Sequence, residues 1–276
     1  MDSFPHNGGT FVQESTRSLP AGTVCPVDGR VDYETHGQGY AQRRQADPRI
    51  AAAILAALGD ARSVLNVGAG AGSYEPTDRW VLAVEPSATM RAQRPADAAP
   101  ALACTAESLP LEDDSVDAAM ACVTIHHWPE RARGLAELRR VARGPVVVFT
   151  FELSRLVPWQ LDYFAEPMAI ERPRFGTARE VAAELGGATR IETIPTPADC
   201  TDGFFEAYWN RPEVLLDPAV RASQSIWQLV EPEVQERIIA RLAADLESGR
   251  WDEEHGSLRE RESYEGSLRL VISEPA

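Results

Sequence analysis

The sequence predicts an α/β fold with a doubly wound, mostly parallel sheet and a helical insertion near the carboxyl terminus. Short apolar runs such as Val64–Val67 are typical of strands that are buried on both faces. These runs alternate with stretches of helical periodicity, which implies right-handed crossovers between parallel strands. In such sheets, ligands bind at the carboxyl ends of the strands.

Composition limits the classes of protein that the chain can represent. Its 276 residues suffice for one substantial domain, and a charged fraction of 25% is that of an ordinary globular protein. The formal net charge is −15, so the surface repels phosphate backbones, and we expect no nucleic-acid partner. The four cysteines are far apart and have the spacing of neither a metal site nor a disulfide framework.

The amino-terminal segment differs from the remainder of the chain. Residues 1–30 are rich in Gly, Ser, Thr and Pro, and we interpret them as a flexible extension or as an arm that docks on a partner subunit. They lack the charge and apolar core of a signal peptide. No apolar run approaches the roughly 20 residues that span a bilayer. These features predict a cytoplasmic protein without membrane contact.

Local signals predict the first elements in order. Asp47 caps a helix that has Pro48 at its first position and Gly59 just past its end. Strands are then expected at Val64–Val67 and Val81–Val84. The next predicted elements are a short helix at Ser87–Arg94 and strands at Ala101–Ala106, Val116–Ile125 and Pro145–Phe151.

The second half of the chain is predicted to be mainly helical. Thr177, with a glutamate three positions on, forms a capping box that opens a helix ending at Gly186-Gly187. Within about residues 198–265, apolar side chains recur at helical spacing. They are Val234, Ile238, Leu242 and Leu246. We interpret this insertion as a substrate cap over the strand ends or as the interface of a homo-oligomer.

The loop after the first strand predicts a nucleotide pocket. Gly68, Gly70 and Gly72 follow the strand at alternate positions, and Glu85 ends the second strand, where an acid can accept hydrogen bonds from ribose hydroxyls. The spacing G-x-G-x-G departs from the dinucleotide pattern, and Pro76 leaves room only for a short turn before the next strand. A cofactor with a ribose and no pyrophosphate, such as S-adenosylmethionine, therefore fits better than NAD.

With these motifs, the chain resembles the class I S-adenosylmethionine-dependent methyltransferases, and most closely the type 11 or UbiE-like subgroup that acts on small molecules. The resemblance covers residues 33–152. It rests on the glycine loop, A-V-E-P-S around Glu85, A-E-S-L-P at Ala106–Pro110 and T-I-H-H-W at Thr124–Trp128. It implies S-adenosylmethionine as cofactor and a Rossmann-like core at residues 31–152. In the remaining region, 153–276, strands at Arg190–Ile194 and Ser267–Ile272 would complete a seven-stranded sheet.

The resemblance also implies a set of cofactor contacts. Glu85 would hold the ribose hydroxyls, and Met90 would pack against the adenine unless it merely fills a gap in the core. Asn66 and Thr105 stand where family members usually carry acids; both retain an acceptor oxygen, so cofactor binding should survive. The predicted cofactor residues are Tyr40, Asn66, Gly68, Ala69, Gly70, Gly72, Glu85, Pro86, Met90, Thr105, Ala106, Glu107 and Thr124.

His126 and His127 are the candidate catalytic residues, because they end the fourth predicted strand, where an acceptor would approach the methyl group. A histidine near its ordinary pKa of roughly 6.5 could take a proton from a hydroxyl. Packing at a strand end is the alternative. An amine acceptor would need no base beyond one that keeps it neutral, whereas a carbon acceptor would need aromatic walls and a carboxylate such as Glu152 or Glu171.

Aromatic residues after the fifth strand are candidates for the acceptor pocket, with core packing as the alternative. They are Trp159, Tyr163, Phe164 and Phe175. The sequence thus predicts methyl transfer to oxygen or nitrogen of a small apolar metabolite, in secondary metabolism. Carbon methylation, an NAD-dependent oxidoreductase and a non-catalytic cofactor-binding protein are the alternatives, and no metal is expected.

Overall fold

The computed structural model describes residues 44–275. At its centre is a seven-stranded sheet in the order β3-β2-β1-β4-β5-β9-β6, in which β9 runs antiparallel to both neighbours. These strands are β1 Ser63–Val67, β2 Trp80–Val84, β3 Ala101–Leu102, β4 Ala118–Cys122, β5 Val146–Phe151, β6 Ala188–Thr193 and β9 Leu268–Glu274. The predicted seven-stranded, mostly parallel α/β sheet is confirmed.

Helices cover both faces of this sheet, as the two apolar clusters on either side of it show. They are α1 Pro48–Ala57, α2 Ala88–Arg91, α3 Arg131–Val141, α4 Pro158–Tyr163, α5 Ala165–Phe175, α6 Ala178–Leu185, α7 Pro218–Arg221, α8 Pro232–Glu247 and α9 Arg250–His255. Within residues 44–275, no helix has both the length and the apolar character that a membrane crossing requires.

Helix α1 begins as the capping signal predicts. The Asp47 carboxylate accepts a hydrogen bond from the Arg49 backbone N–H at 3.0 Å, and Pro48 occupies the first helical position. The same carboxylate pairs with the Arg49 guanidinium and accepts from the Thr201 backbone N–H. The Arg49 hydrogen bond lowers the pKa of Asp47 to about 2. This cap therefore also ties α1 to the chain at Thr201.

Two predicted strands are too long. The third leaves the sheet after Leu102, whose carbonyl accepts from the Cys104 N–H at 3.1 Å in a tight turn. The fourth ends at Cys122, because Val123 adopts a left-handed backbone conformation with φ of 52° and the chain then forms a 3₁₀ turn at Ile125–His127. In both places the apolar run continues through the turn, so periodicity alone could not locate the strand end.

Other boundaries differ by smaller amounts. The predicted helix Ser87–Arg94 is reduced to α2, for which Ser87 is the N-cap and accepts from the Met90 N–H at 3.1 Å. Between β6 and β9 the chain forms α7 to α9 and several 3₁₀ turns. At the base of this segment, β7 (Thr196–Pro197) pairs antiparallel with β8 (Ser263–Tyr264). Strands of two residues have no detectable periodicity, so this pairing was not predicted.

The segment between β6 and β9 packs into the same core as α1 and one face of the sheet. Trp159 of α4 donates from Nε1 to the Trp209 carbonyl at 2.8 Å, and its ring meets Trp251 edge-on at 5.6 Å. Phe164 meets Trp227 in the same way at 5.3 Å. Edge-to-face contacts of this kind add to the hydrophobic gain of burying the rings.

Glu206 is a buried carboxyl on which stability should depend. It accepts from Thr196 Oγ1 at 2.9 Å and from the backbone and hydroxyl of Ser267. Burial raises its pKa from 4.5 to about 7. The folded state therefore binds this proton more tightly than the unfolded chain does, and stability falls as the pH rises through this interval.

We expect this carboxyl to lower the free energy of unfolding by about 3 kcal/mol between pH 4.5 and pH 7.5. Urea titrations across that range would measure the effect. Glu206→Gln should flatten the pH dependence, whereas Glu265→Gln, at an exposed position nearby, should leave it unchanged. Parallel pH profiles for the wild type and Glu206→Gln would contradict the assignment.

Candidate active site

A cavity of about 370 Å³ lies at the carboxyl ends of β1, β2 and β4. Most residues that the sequence predicts as cofactor contacts come together on its walls. They are Asn66, Gly68, Ala69, Gly70, Glu85, Pro86, Met90, Thr105, Ala106, Glu107 and Thr124. Gly72 does not line it and instead lies beside the Arg94 guanidinium. Tyr40 is outside the described residues, as is the extension at 1–30.

The glycine loop allows two strand ends to approach each other closely. Gly68 has a φ of 68°, and a Cβ at this position would overlap the Thr124 side chain at the end of β4. The N–H groups of Gly68 and Ala69 both donate to the Val84 carbonyl at 2.9 Å. These bonds hold the loop over the end of β2. Only glycine combines this backbone conformation with the space available.

Glu85 is nearly buried at the end of β2, and its orientation is set by backbone donors. Its Oε1 accepts from the Ser87 N–H and its Oε2 from the Gly70 N–H, each at 2.8 Å. Burial raises the pKa of this carboxyl, and the two backbone bonds oppose that effect. Each carboxylate oxygen has a second lone pair, so Glu85 can accept two further hydrogen bonds from a ligand in the cavity.

Asn66 presents an oxygen to the same cavity. Its Nδ2 donates to Glu75 Oε1 at 3.0 Å, and its Oδ1 has no hydrogen-bond partner among the described residues. Glu75 in turn pairs through both oxygens with Arg94, at 2.7 and 2.8 Å. The Asn66 amide is thereby oriented with its acceptor oxygen available to a donor such as an ammonium group. The roles of Glu75 and Arg94 were not predicted, because neither belongs to a motif.

His127 lines this cavity, but its surroundings do not suit a base. Its Nδ1 lies 3.3 Å from Arg174 Nη2, and a guanidinium can only donate. The neutral ring therefore accepts at Nδ1 and carries its proton on Nε2. Burial and the charge of Arg174 lower the pKa of His127 to about 3. Near neutral pH the ring is therefore uncharged.

His126 lies on the other side of the 3₁₀ turn and faces a second cavity, of about 60 Å³. Its ring stacks on Phe175 with centroids 3.8 Å apart and lies 3.7 Å from the ring of His127. Burial also lowers the pKa of His126. A general base works best when its pKa is near the working pH, so the environment of both rings argues against that predicted role.

The second cavity has mainly apolar walls and adjoins the first, since Arg44 and Val123 line both. Its apolar lining consists of Phe151, Leu153, Leu156, Met168, Phe175, Phe204, Phe205 and Ile226. Of the predicted acceptor residues, only Phe175 lies here. Trp159, Tyr163 and Phe164 line neither cavity, because they are buried against the segment between β6 and β9.

A buried polar cluster that was not predicted joins the glycine loop to that segment. Asp202 accepts from Arg44 Nε at 2.6 Å and from the Tyr74 hydroxyl at 2.8 Å. The backbones of Arg44 and Asp202 also form a β-bridge. These residues lie far apart in sequence, and only Arg44 and Tyr74 line the first cavity. No local pattern could have connected them.

Residues 65–148, which contain the glycine loop, Glu85 and the histidine turn, match a family model of type 11 that is described as a methyltransferase domain. The chain is a class I S-adenosylmethionine-dependent methyltransferase. The predicted family, fold and enzyme class are thereby confirmed, and the oxidoreductase interpretation is not supported. Among curated proteins, none matches this methyltransferase in sequence.

Solved structures extend the similarity beyond the matched domain. A protein from Anabaena variabilis, described as a candidate methyltransferase from an antibiotic biosynthesis pathway, is 29% identical with a TM-score of 0.79, over 84% of this chain and 99% of its own. A Thermotoga maritima protein, described as an S-adenosylmethionine-dependent methyltransferase and a candidate histamine N-methyltransferase, is 17% identical with a TM-score of 0.54. Its alignment covers 88% of this chain and 98% of its own, and shows the shared fold alone.

The first cavity of this methyltransferase fits S-adenosylmethionine, the predicted cofactor. Glu85 has acceptor capacity for both ribose hydroxyls, and the unpartnered Asn66 Oδ1 suits the ammonium group of the methionyl part. Gly68 leaves the backbone open where a Cβ would fill the space. When bound, the cofactor supplies an electrophilic methyl group on its sulfonium. Within residues 44–275, no group of three His, Cys, Asp or Glu side chains is arranged to hold a metal ion.

The pairing of Asn66 with Glu75 can be tested by moving the negative charge from Glu75 to position 66. Asn66→Asp introduces the acid usual in the family, yet we expect it to weaken S-adenosylhomocysteine binding by about 10-fold, because the replaced amide nitrogen lies 3.0 Å from Glu75 Oε1. The double variant Asn66→Asp with Glu75→Gln should recover most of the affinity, since the pair again holds one negative charge. Isothermal titration calorimetry would measure both.

Methylthioadenosine, which lacks the ammonium group, is the matched ligand control. Its affinity should vary little among the wild type and these variants. Tighter binding of S-adenosylhomocysteine to Asn66→Asp alone would contradict the interpretation.

Proposed function

We propose that this methyltransferase transfers a methyl group to oxygen or nitrogen of a small apolar metabolite that binds in the second cavity. The observation that supports this proposal most directly is the second cavity itself, with its aromatic and aliphatic walls beside the cofactor site. Ligand pockets are mainly apolar, with a few polar groups that orient the ligand. An acceptor held there would approach the cofactor cavity past Val123 and the two histidines.

The position of the histidine turn supports this path. His127 lines the cofactor cavity and His126 the second cavity, with ring centroids 3.7 Å apart. Methyl transfer is an in-line displacement, so the main task of the protein is to align the acceptor with the methyl group and to exclude water. Arg44, which lines both cavities, lies at the same junction.

A role in secondary metabolism is part of the proposal. It is supported by the description of the Anabaena variabilis protein as belonging to an antibiotic biosynthesis pathway.

Carbon methylation is the second candidate reaction, because the residues that line the second cavity suit it. Glu171 could accept a proton, and the four phenylalanines could stabilise a positively charged ring.

An acceptor screen with a cavity-filling variant tests the proposal. Purified protein and S-adenosylmethionine would be incubated with apolar and with small charged acceptors, and products would be identified by mass spectrometry. Met168→Trp should fill the second cavity and abolish turnover while S-adenosylhomocysteine still binds. Ile170→Trp, on an exposed position of the same helix, is the control and should leave turnover unchanged. Equal turnover of small charged acceptors, or an active Met168→Trp variant, would refute the proposal.

A further inference from the structure

We infer that the methyl acceptor is an apolar amine that is methylated on nitrogen and held by Glu171. The inference rests on the proposed function, since it takes the second cavity as the acceptor site, and it narrows the acceptor to one chemical class. Its basis is a pair of buried polar atoms that lack hydrogen-bond partners, on two residues that line this mainly apolar cavity.

The first of these atoms is Glu171 Oε2. Glu171 lies on α5 with 2% of its surface exposed, and Oε2 has no hydrogen-bond partner within residues 44–275. The other oxygen, Oε1, lies 3.4 Å from Arg174 Nη1. A buried polar atom left unpaired costs about 1–3 kcal/mol, and more when the group is charged. A ligand with an N–H donor would remove this cost.

The second atom is Nδ1 of His126, which is 7% exposed and also without a hydrogen-bond partner in the described part of the chain. Its ring and that of Phe175 are stacked, so the nitrogen is held in one orientation beside an aromatic face. The other carboxyl on this cavity, Glu206, is engaged by Thr196 and Ser267. Among the residues that line this cavity, Glu171 and His126 are those with a buried side-chain atom that lacks a hydrogen-bond partner in the described part of the chain.

The charge distribution favours an amine over a hydroxyl acceptor. An alkyl hydroxyl must give up its proton to a base as it reacts. Burial lowers the pKa of both histidines, which leaves Glu171 to take that proton, whereas an amine needs no base during the transfer itself. A free amine already carries a lone pair and becomes positively charged during transfer. A carboxylate and aromatic ring faces stabilise exactly that kind of developing charge, and the second cavity provides both.

Two arginines near the second cavity do not remove its preference for an amine acceptor. Arg44 reaches the same cavity, but its guanidinium pairs with the buried Asp202 at 2.6 Å. Arg174 Nη1 lies 3.4 Å from Glu171 Oε1, and Arg174 Nη2 lies 3.3 Å from His127 Nδ1. Burial raises the pKa of Glu171, whereas the charge of Arg174 and the Ser225 side chain act in the opposite direction and favour the carboxylate. Oε2 is the oxygen of this carboxyl that lacks a hydrogen-bond partner in the described part of the chain.

The transfer balances without a further reactant. The ammonium form of the acceptor first gives its proton to solvent water and enters as the free amine. Its nitrogen then forms a bond to the methyl carbon as the bond between sulfur and that carbon breaks. Sulfur retains the bonding electron pair and becomes neutral, and the positive charge moves to nitrogen. The methylated ammonium then faces the Glu171 carboxylate and leaves as the cation or after loss of a proton to water.

Matched acceptors and matched variants test the inference. Arylalkylamines and alkylamines would each be compared with the alcohol of the same skeleton, and products would be assigned by mass spectrometry and NMR. We expect N-methylated products from the amines only. Glu171→Gln should lower kcat/KM for amines by about 30-fold or more. Glu166→Gln, on the exposed side of the same helix, should have no effect.

Binding gives a readout that does not depend on turnover. In the complex with S-adenosylhomocysteine, calorimetry should show amine binding that is lost in Glu171→Gln and kept in Glu166→Gln. O-methylated alcohols or C-methylated products without N-methylation would overturn the inference, while O-methylation would leave the proposed function intact. If neither acceptor set reacts and no amine binds in a Glu171-dependent way, the inference fails together with the proposed function.

Discussion

Glu85→Gln is expected to weaken the binding of S-adenosylhomocysteine by about 100-fold, the largest effect on cofactor affinity that we predict. Both oxygens of Glu85 already accept from backbone N–H groups, at Ser87 and Gly70. An amide would place a donor against one of those N–H groups and would lose acceptor capacity for a ribose hydroxyl. Isothermal titration calorimetry at pH 7.5 would measure the loss.

Glu107→Gln is the matched control for this prediction. Glu107 also lines the cofactor cavity, but within residues 44–275 its side chain accepts a single hydrogen bond, from the Glu130 N–H at 3.3 Å. Its substitution should change the affinity by about threefold at most. Equal urea midpoints would show that both variants are folded. An affinity of Glu85→Gln within the same threefold range would show that this carboxylate does not hold the ribose.

Asp202→Ala is expected to give the largest loss of stability, about 3–5 kcal/mol in the free energy of unfolding. Asp202 is 1% exposed and is the shared acceptor for the Arg44 guanidinium and the Tyr74 hydroxyl. Its removal would leave a nearly buried cation without this counter-ion and a buried hydroxyl without an acceptor. Urea-induced unfolding followed by tryptophan fluorescence would measure the change.

Asp199→Ala is the matched control. This residue lies three positions earlier, and its carboxylate pairs with Arg49 at 2.7 Å, but its side chain is 82% exposed. Exposed ion pairs contribute little, so we expect the urea midpoint of Asp199→Ala to stay at that of the wild type. Similar losses in the two variants would show that the cluster of Arg44, Tyr74 and Asp202 does not stabilise the fold.

The elements that the sequence predicted well are those with local signals. The Asp47 cap, the Thr177 capping box and the apolar runs of β1, β2 and β5 depend on residues that are neighbours along the chain. The third and fourth strands were extended too far because no polar residue marks where the chain turns. At Val123 the turn requires a left-handed conformation that no β-branched residue would suggest.

In the candidate site, too, contacts between distant residues could not be predicted from local signals. The aromatic density after β5 suggested four acceptor residues, but Trp159, Tyr163 and Phe164 became core once the segment between β6 and β9 packed against them. Phe175 alone of the four reaches the second cavity. Which aromatic ring is covered depends on an element more than thirty residues away in the chain, and periodicity contains no such information.

By itself, the sequence determined the family, the cofactor and the sheet, because one strand–loop–strand unit carries both the glycine loop and the acid that define the nucleotide pocket. The tertiary structure decided what surrounds that pocket. It placed Glu75 and Arg94 behind Asn66, joined Arg44 to Asp202, and left Glu171 and His126 with unpaired atoms in an apolar cavity. Burial and pairing depend on contacts between distant parts of the chain, so they emerge only when the chain is folded.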